Sequence, residues 1–578
     1  MSIETDLTSM NHLAGLVDTA TVDGVPTLLS ERDGPVTGGL MFRVGRDDET
    51  LASAGITHLV EHLALYPLNM WDLHHNGQTA GNYTLFHATG TPADVVDFLN
   101  GVCAVLRNLP LDRLEVEKAV LRTEAAGSNG GGAFEAMGLW RYGVQGPGLS
   151  GPAHEGLALL TADDVAAWAC TRFTRDNAVL FLTAGALPQG LDLRLPAGRR
   201  FPILLPQETL VRKPAWFPGP AGAVVIDGLV ARGTAASLFA RTAERTLFRV
   251  LRQERGLSYT VTCSATARTH ERTQITVHAD ALPEKQDAMV RTVVGTLDAL
   301  RDGGVQDMDL AAARKLLRQE YDTPHLGAVM LPGVAFDLLV GHPTLHPDEA
   351  RARLEANTAA DVTAIAAAFW DDALAEVPNE GLDWAGFVPA PRFSPAEVIG
   401  RAYPRYSDPG TVLLLGDQGV SLRMTEGVHT VRYEDCALMW AYADGGRVLV
   451  GRDGFQVVVE PTLHRRLTPE MVAATIDPHV PRAVVRVLPE RPADRIPRPA
   501  RWRKEFRVAP QWRGLGQWAV GWGVCLVTLG VLWTLALIPQ RAPADASAAL
   551  LALFWLFAAV VDLGGAFLLF AGVRRRAL

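Results

Sequence analysis

The string Gly55-Ile56-Thr57-His58-Leu59-Val60-Glu61-His62-Leu63-Ala64-Leu65 sets two histidines four residues apart, with a carboxylate beside the second. On a helix, positions i and i+4 share a face, so His58 and His62 can offer two imidazoles to one tetrahedral metal ion. Glu61 then stands on the rim of that face, placed to take a proton from a metal-activated water rather than to ligate. The neighbours Leu59, Val60, Leu63 and Leu65 mark a largely buried helix. Two unpaired imidazoles and a carboxylate would be costly to desolvate there. The pattern predicts a site for one Zn2+ per chain.

A third ligand, an anionic oxygen, has to come from another element. The segment Leu111–Glu124 is helical in composition, and it carries Glu117 and Glu124 two turns apart on one face. One of the pair can ligate while the other orients a histidine or tunes the water.

This set of His58, Glu61, His62, Glu117 and Glu124 resembles the pitrilysin or insulinase family of zinc metallopeptidases, which includes the mitochondrial processing peptidase. The resemblance implies His58, His62 and Glu124 as ligands, Glu61 as general base and Glu117 as an auxiliary carboxylate. Gly38–Arg46 resembles the strand and turn ahead of the family's zinc helix. Leu159–Trp168 resembles a Thr-capped helix late in the same domain, and Asp176–Gly185 its closing strand. The sequence departs from the family in a shorter interval between His62 and Glu124. Where a Gly/Asn/Thr substrate strand is expected it reads Gly77-Gln78-Thr79-Ala80-Gly81-Asn82, with the family's Asn replaced or displaced. His74, His75 and His87 nearby are expected to be pocket or surface histidines. The cluster Gly127–Gly132 has no Lys-Ser or Lys-Thr after it and reads as a connector, not a phosphate loop.

After the Pro-rich stretch 202–220 a new α/β pattern begins at Ala223. Within it, Arg245–Glu254 reads as a helix stopped by Gly256 and followed by strand. The family's second half carries an Arg and a Tyr seven apart, and Arg252 and Tyr259 match them. The resemblance implies that this pair polarises the scissile carbonyl and stabilises the oxyanion. In the family's short-chain branch that half faces the zinc half of a partner subunit, so a homodimer with shared sites is the expectation.

The whole chain has 578 residues, 54 Lys+Arg against 63 Asp+Glu and a net charge of −9, with no long basic stripe in the body. That balance argues against a nucleic-acid partner. Cys103, Cys170, Cys263, Cys436 and Cys525 form no C-x-x-C pair and read as reduced core thiols. Met1–Asp6 carries acids and no apolar run, so no secretory signal is expected. Short strands between Thr411 and Val459, then a helix over Pro469–Ile476, resemble a small pleckstrin-homology-like barrel. A lipid-facing or self-association module and a plain spacer both fit that region.

Leu515–Gln540 holds no charge and Ala546–Val573 only Asp562, and about 20 apolar residues suffice for one span. Arginines from Arg491 to Arg513 precede this hairpin and Arg574–Arg576 follow it, which favours a cytoplasmic body at the inner membrane. Asp562 reads as a capped or helix-paired carboxylate.

The expected fold is α+β: two tandem pitrilysin-like α/β-sandwich domains, a zinc-binding domain at 1–200 and an Arg/Tyr domain at 201–400. A β-rich connector domain follows at 401–490, a basic juxtamembrane segment at 491–513 and a transmembrane helical hairpin at 514–578. The expected function is a membrane-anchored zinc metalloendopeptidase acting on peptides or unfolded segments, with a lipid membrane as further partner. The alternatives are a dedicated processing peptidase that removes a leader from a precursor, and a non-catalytic peptide-binding membrane scaffold.

Overall fold

The computed structural model describes residues 10, 12–68, 73–127, 133–150, 156–220, 222–280, 282–378 and 381–499, a mixed α and β architecture. In the first sheet the strands are β1 (Asp18–Val22), β2 (Val25–Leu29), β3 (Val36–Phe42), β4 (His74–Thr79), β5 (Thr84–Gly90) and β6 (Ala178–Leu182). Their order is β1-β2-β6-β3-β5-β4, which leaves β4 at the edge beside the histidine helix. Helices α1 (Ile56–Leu65), α2 (Pro92–Arg107), α3 (Leu114–Gly127), α4 (Ala133–Tyr142) and α5 (Ala162–Arg172) belong to this part of the sequence.

Alternation along the strands explains the layering. Leu40 and Phe42 of β3, with Ala178, Leu180 and Leu182 of β6, pack into the core built with α1, α2 and α5. The residues between them, Met41, Val179 and Phe181, face the opposite side. Strand side chains point to opposite faces at period 2, so β6 is apolar throughout because both of its faces are covered.

The second sheet consists of β7 (Ala215–Gly219), β8 (Ala223–Ala231), β9 (Val261–Ala267), β10 (Arg272–Asp280), β11 (Leu374–Pro378) and β12 (Val388–Pro389), in the order β12-β7-β11-β8-β10-β9. Helices α6 (Thr234–Phe248), α7 (Gln286–Arg301), α8 (Asp307–Glu320), α9 (Leu326–Val340), α10 (Pro347–Ala356) and α11 (Ala359–Asp371) accompany it. Each half lends the other a helix. Leu331, Val334 and Leu338 of α9 cover the Met41/Phe181 face of the first sheet. Met137 of α4, with Trp140 against it, packs on Phe217, Val225 and Leu374 of the second. The two sheets are therefore interlocked.

A third block has one core under two four-stranded sheets. The first sheet is the meander β13 (Arg401–Pro404), β14 (Val412–Leu415), β15 (Gly419–Arg423) and β16 (Val428–Arg432). In the second, β17 (Cys436–Tyr442), β18 (Arg447–Gly451) and β19 (Gln456–Val459) precede α12 (Pro469–Ile476), after which β20 (Val485–Leu488) pairs parallel to β17. This block packs on the first half. Its Leu438 and Val450 pack on Leu51 and Ala52 of the first half, and Arg486 donates to the Ala52 carbonyl at 3.0 Å.

Two expectations need correction. The assignment to the inner membrane is not upheld, because no helix among the described residues is long and apolar enough to cross a membrane. Even the apolar α9 has 15 residues and an internal Pro332, and it is used up against the first sheet. Arg491, counted from the sequence as the start of the basic juxtamembrane segment, is sequestered by Asp444 at 2.6 Å and Glu460 at 2.7 Å. The runs Leu515–Gln540 and Ala546–Val573, with Asp562, lie outside the described residues, as do residues 128–132 of the glycine cluster. The thiols are the second correction. Cys103, Cys263 and Cys436 are buried and free, but Cys170 is exposed on α5.

One buried carboxylate gives a pH signature. Glu376 on β11 is 2% exposed, and its Oε2 finds no hydrogen-bond partner among the described residues. Burial pushes it up to about 7. A carboxyl raised in the folded state holds its proton after the unfolded chain has lost it, so stability falls as pH rises from about 4.5 to about 7. Glu376→Gln is therefore predicted to stabilise the fold by about 1–3 kcal/mol at pH 8 and to be near neutral at pH 5. Equal effects in melts at the two pH values would refute this.

Candidate metal centre

Helix α1 starts without a side-chain cap of the usual kind. Gly55 sits at its N-cap with φ of 94°, a left-handed conformation that suits glycine. The first free N–H groups are taken by Glu49, whose two oxygens accept from Gly55 N at 2.7 Å and Thr57 N at 2.9 Å. Burial pushes Glu49 up to about 7 against these two bonds.

This start turns His58 and His62 toward α3. Their rings lie 4.8 Å apart, nearly perpendicular. Glu124 Oε2 is 4.0 Å from His58 Nε2 and 3.6 Å from His62 Nε2. One donor atom from each of the three residues falls within 4.8 Å of the others. Bonds of about 2.0–2.2 Å in a tetrahedral zinc site put ligand atoms a little over 3 Å apart, so a modest closure of this triangle fits zinc. The donor set, two imidazoles and one carboxylate, suits the same ion.

Glu117, two turns before Glu124 on α3, lies behind the triangle. It is 3.5 Å from His62 Nδ1, the nitrogen that does not face Glu124, and it accepts from Arg113 Nη2 at 3.2 Å. A carboxylate there fixes the ring's orientation and leaves Nε2 turned to Glu124.

Glu61 lies between these groups and the edge strand. It is 5% exposed, and its Oε2 accepts the Thr79 hydroxyl at 2.5 Å. A Cβ at Gly77 would stand 2.5 Å from Glu61 Oε1, so only glycine lets β4 approach this closely. Burial raises Glu61 above the usual carboxylate range, with the Thr79 hydroxyl opposing. Asn82 lies past the end of β4. Its carbonyl accepts from Arg43 Nη1 at 2.9 Å and its amide donates to the Arg268 carbonyl of the second half at 3.4 Å.

The structure brings Arg252 and Tyr259 to each other and not to the histidines. They lie in the second half, on a π turn that prolongs α6 over Arg249–Glu254 and on the loop after Gly256. The Arg252 guanidinium is 4.9 Å from the centre of the Tyr259 ring and 5.1 Å from that of Phe248, and Tyr259 is 76% exposed. His74 and His87 face each other at 6.5 Å and His75 packs on Phe98, all outside the triangle. The sequence reading missed Glu49, and it placed Gly77 and Thr79 in the expected substrate strand without their contact to Glu61. A buried helix that opens on glycine with no Ser, Thr, Asp or Asn cap was the one signal for the first.

Residues 230–317 match the family model of the peptidase M16 inactive domain. That stretch lies in the second half and holds none of His58, Glu61, His62 and Glu124. No curated protein matches the chain. Among solved structures the fold is similar to a protease from Helicobacter pylori, at TM-score 0.54 and 14% identity, covering 63% of this chain and 99% of that one. It is also similar to the periplasmic protease PqqL from Escherichia coli, at TM-score 0.52 and 12% identity, covering 76% of this chain and 56% of that one. A third likeness is to complex III2 from Candida albicans, at TM-score 0.51 and 15% identity, covering 63% and 95%. The fold is thus similar to that of these proteases, with a match to an M16 domain over residues 230–317. At such identities the likeness extends to fold alone, and any chemistry has to be argued from the side chains.

Proposed function

We propose that the protein is a zinc metalloendopeptidase that hydrolyses peptides or unfolded segments laid along the outer edge of β4. The observation that carries this reading is the convergence of His58, His62 and Glu124 on one point, with Glu61 buried between that point and the edge strand. An extended peptide added to a free sheet edge is held by main-chain hydrogen bonds, with alternate side chains left to pockets.

Bound by His58, His62 and Glu124, zinc would supply a Lewis acid and an acidified water. Glu61, with one oxygen anchored by Thr79, takes the proton from the attacking water and returns it to the leaving amine. Glu117 keeps His62 in the coordinating tautomer. Arg252 and Tyr259 donate to the carbonyl oxygen as charge builds on it. Because their contacts lie within the second half, they reach the substrate from across the cleft or from a partner subunit in a homodimer.

Metal analysis is expected to find one zinc per chain, and a chelator to abolish cleavage of a quenched peptide, with recovery on adding zinc back. Protein without zinc and without cleavage would favour the non-catalytic scaffold. Within the peptidase reading, trapping a single precursor with Glu61→Gln would favour leader processing over general peptide hydrolysis. The shared-site homodimer predicts specific activity that falls on dilution below the dimer's dissociation constant. Undiminished activity in a proven monomer would sink it.

A further inference from the structure

A cavity of about 580 Å³ lies away from the metal centre, lined by Arg43, Arg172, Arg199, Arg200, Phe201 and the Asp47–Asp48 turn. Volumes of about 300–1,000 Å³ are usual for small-molecule sites. We propose that this cavity binds a small phosphorylated ligand through Arg172, Arg199 and Arg200.

The charge balance is the first argument. Arg43 is neutralised by Asp48 through bonds of 2.7 and 2.9 Å. Asp47 is turned toward the other side, where a Cβ on Gly81 would meet its carboxylate at 2.9 Å. Among the described residues, no carboxylate lies within ion-pair distance of Arg172, Arg199 or Arg200. Three guanidinium groups therefore share one cavity with no counter-ion of their own.

How they are held is the second argument. Arg172 stacks over Phe201 at 3.8 Å and over Trp168 at 4.8 Å, and Arg199 over Phe201 at 4.8 Å. A guanidinium fixed by an aromatic face keeps its in-plane N–H donors free, unlike one fixed by a carboxylate. Arg200 is 7% exposed and donates Nη1 to the Leu338 carbonyl at 3.0 Å, while its Nε and Nη2 have no acceptor among the described residues. A buried cation with open donors is costly to keep. Burial pushes Arg200 down to about 10, with only Asp176 pulling back. Burial also lowers Arg172, with repulsion from Arg43 and Arg199 added and Asp48 opposing.

An oxyanion of two or more charges relieves all of this. The planar fork of arginine matches phosphate oxygens in pairs, and several forks around one cavity suit a ligand with more than one phosphoryl oxygen to share. The position also has a consequence for the metal centre. Arg43 and Asp48 in the wall flank the turn that ends in Glu49, the cap of α1. An occupant would brace that turn.

The test is calorimetric titration of the full-length protein with pyrophosphate and with ATP at constant ionic strength. One saturable site per chain is expected. Affinity should fall at least tenfold in Arg172→Gln and in Arg199→Gln, whose positions are half-buried and exposed and whose folding is checked by circular dichroism. If either variant misfolds, the other decides. Citrate serves as the carboxylate arm, and binding tighter than pyrophosphate would assign the cavity to polycarboxylates and overturn the proposal. So would the absence of saturable heat, or affinity unchanged in the folded variants.

Discussion

Glu61→Gln is expected to retain one zinc per chain while lowering kcat/KM on a quenched peptide by about 10²–10⁴-fold, the usual worth of a positioned general base. The substitution is nearly isosteric. A glutamine carbonyl oxygen can still accept the Thr79 hydroxyl, and the side chain still fits against Gly77, so the contact between α1 and β4 survives. What disappears is basicity at the oxygen beside the edge strand. Zinc should stay because the converging donors come from His58, His62 and Glu124. Two results would overturn the assignment. Activity within threefold of the parent would remove Glu61 as the base, and loss of zinc from a folded variant would move it among the ligands.

The parts of this site legible in the sequence are those that a single helix displays. His58 with His62, and Glu117 with Glu124, share helix faces by spacing alone, and the structure sets the two faces against each other. Thr79 and Gly77 could not be read that way. They act on Glu61 from another strand, and only the tertiary approach of β4 to α1 gives them a role. The interlocking of the halves was hidden for a related reason. Apolar composition says that α4 and α9 are buried, not which sheet receives them. In the β-rich block, Leu438–Tyr442 is apolar enough for a strand, yet β17, like β13 and β20, escaped notice. Arg491 shows the limit of charge counting, since a run of arginines reads as a basic collar until Asp444 and Glu460 are seen beside one of them.

Arg141→Met is expected to cost about 3–5 kcal/mol of stability, the range for removing one partner of a buried ion pair. Arg141 lies near the end of α4, the helix lent to the second sheet, and it is 2% exposed. Its Nη2 is 2.6 Å from Asp227, and its Nη1 is 3.1 Å from both Glu208 and Asp372. Burial opposes its charge, but these three carboxylates outweigh it and hold the guanidinium well above its ordinary value. Lys213 also reaches Glu208 and Asp372, so the cluster holds two cations and three anions. Without Arg141 the side chain of Asp227, buried and otherwise supported by Gln274, is left without its cation. Methionine preserves most of the apolar stem, so the loss is electrostatic and should appear as an earlier urea midpoint at unchanged slope. Arg141→Lys should recover only part, because an ammonium cannot serve Asp227 on one nitrogen and Glu208 and Asp372 on another. A loss below about 1 kcal/mol in the methionine variant would mean that apolar packing of α4, not this cluster, joins the halves. Since α4 is the next helix after the one that carries Glu124, the same variant should also bind zinc more weakly, and the lysine variant should restore affinity in step with stability.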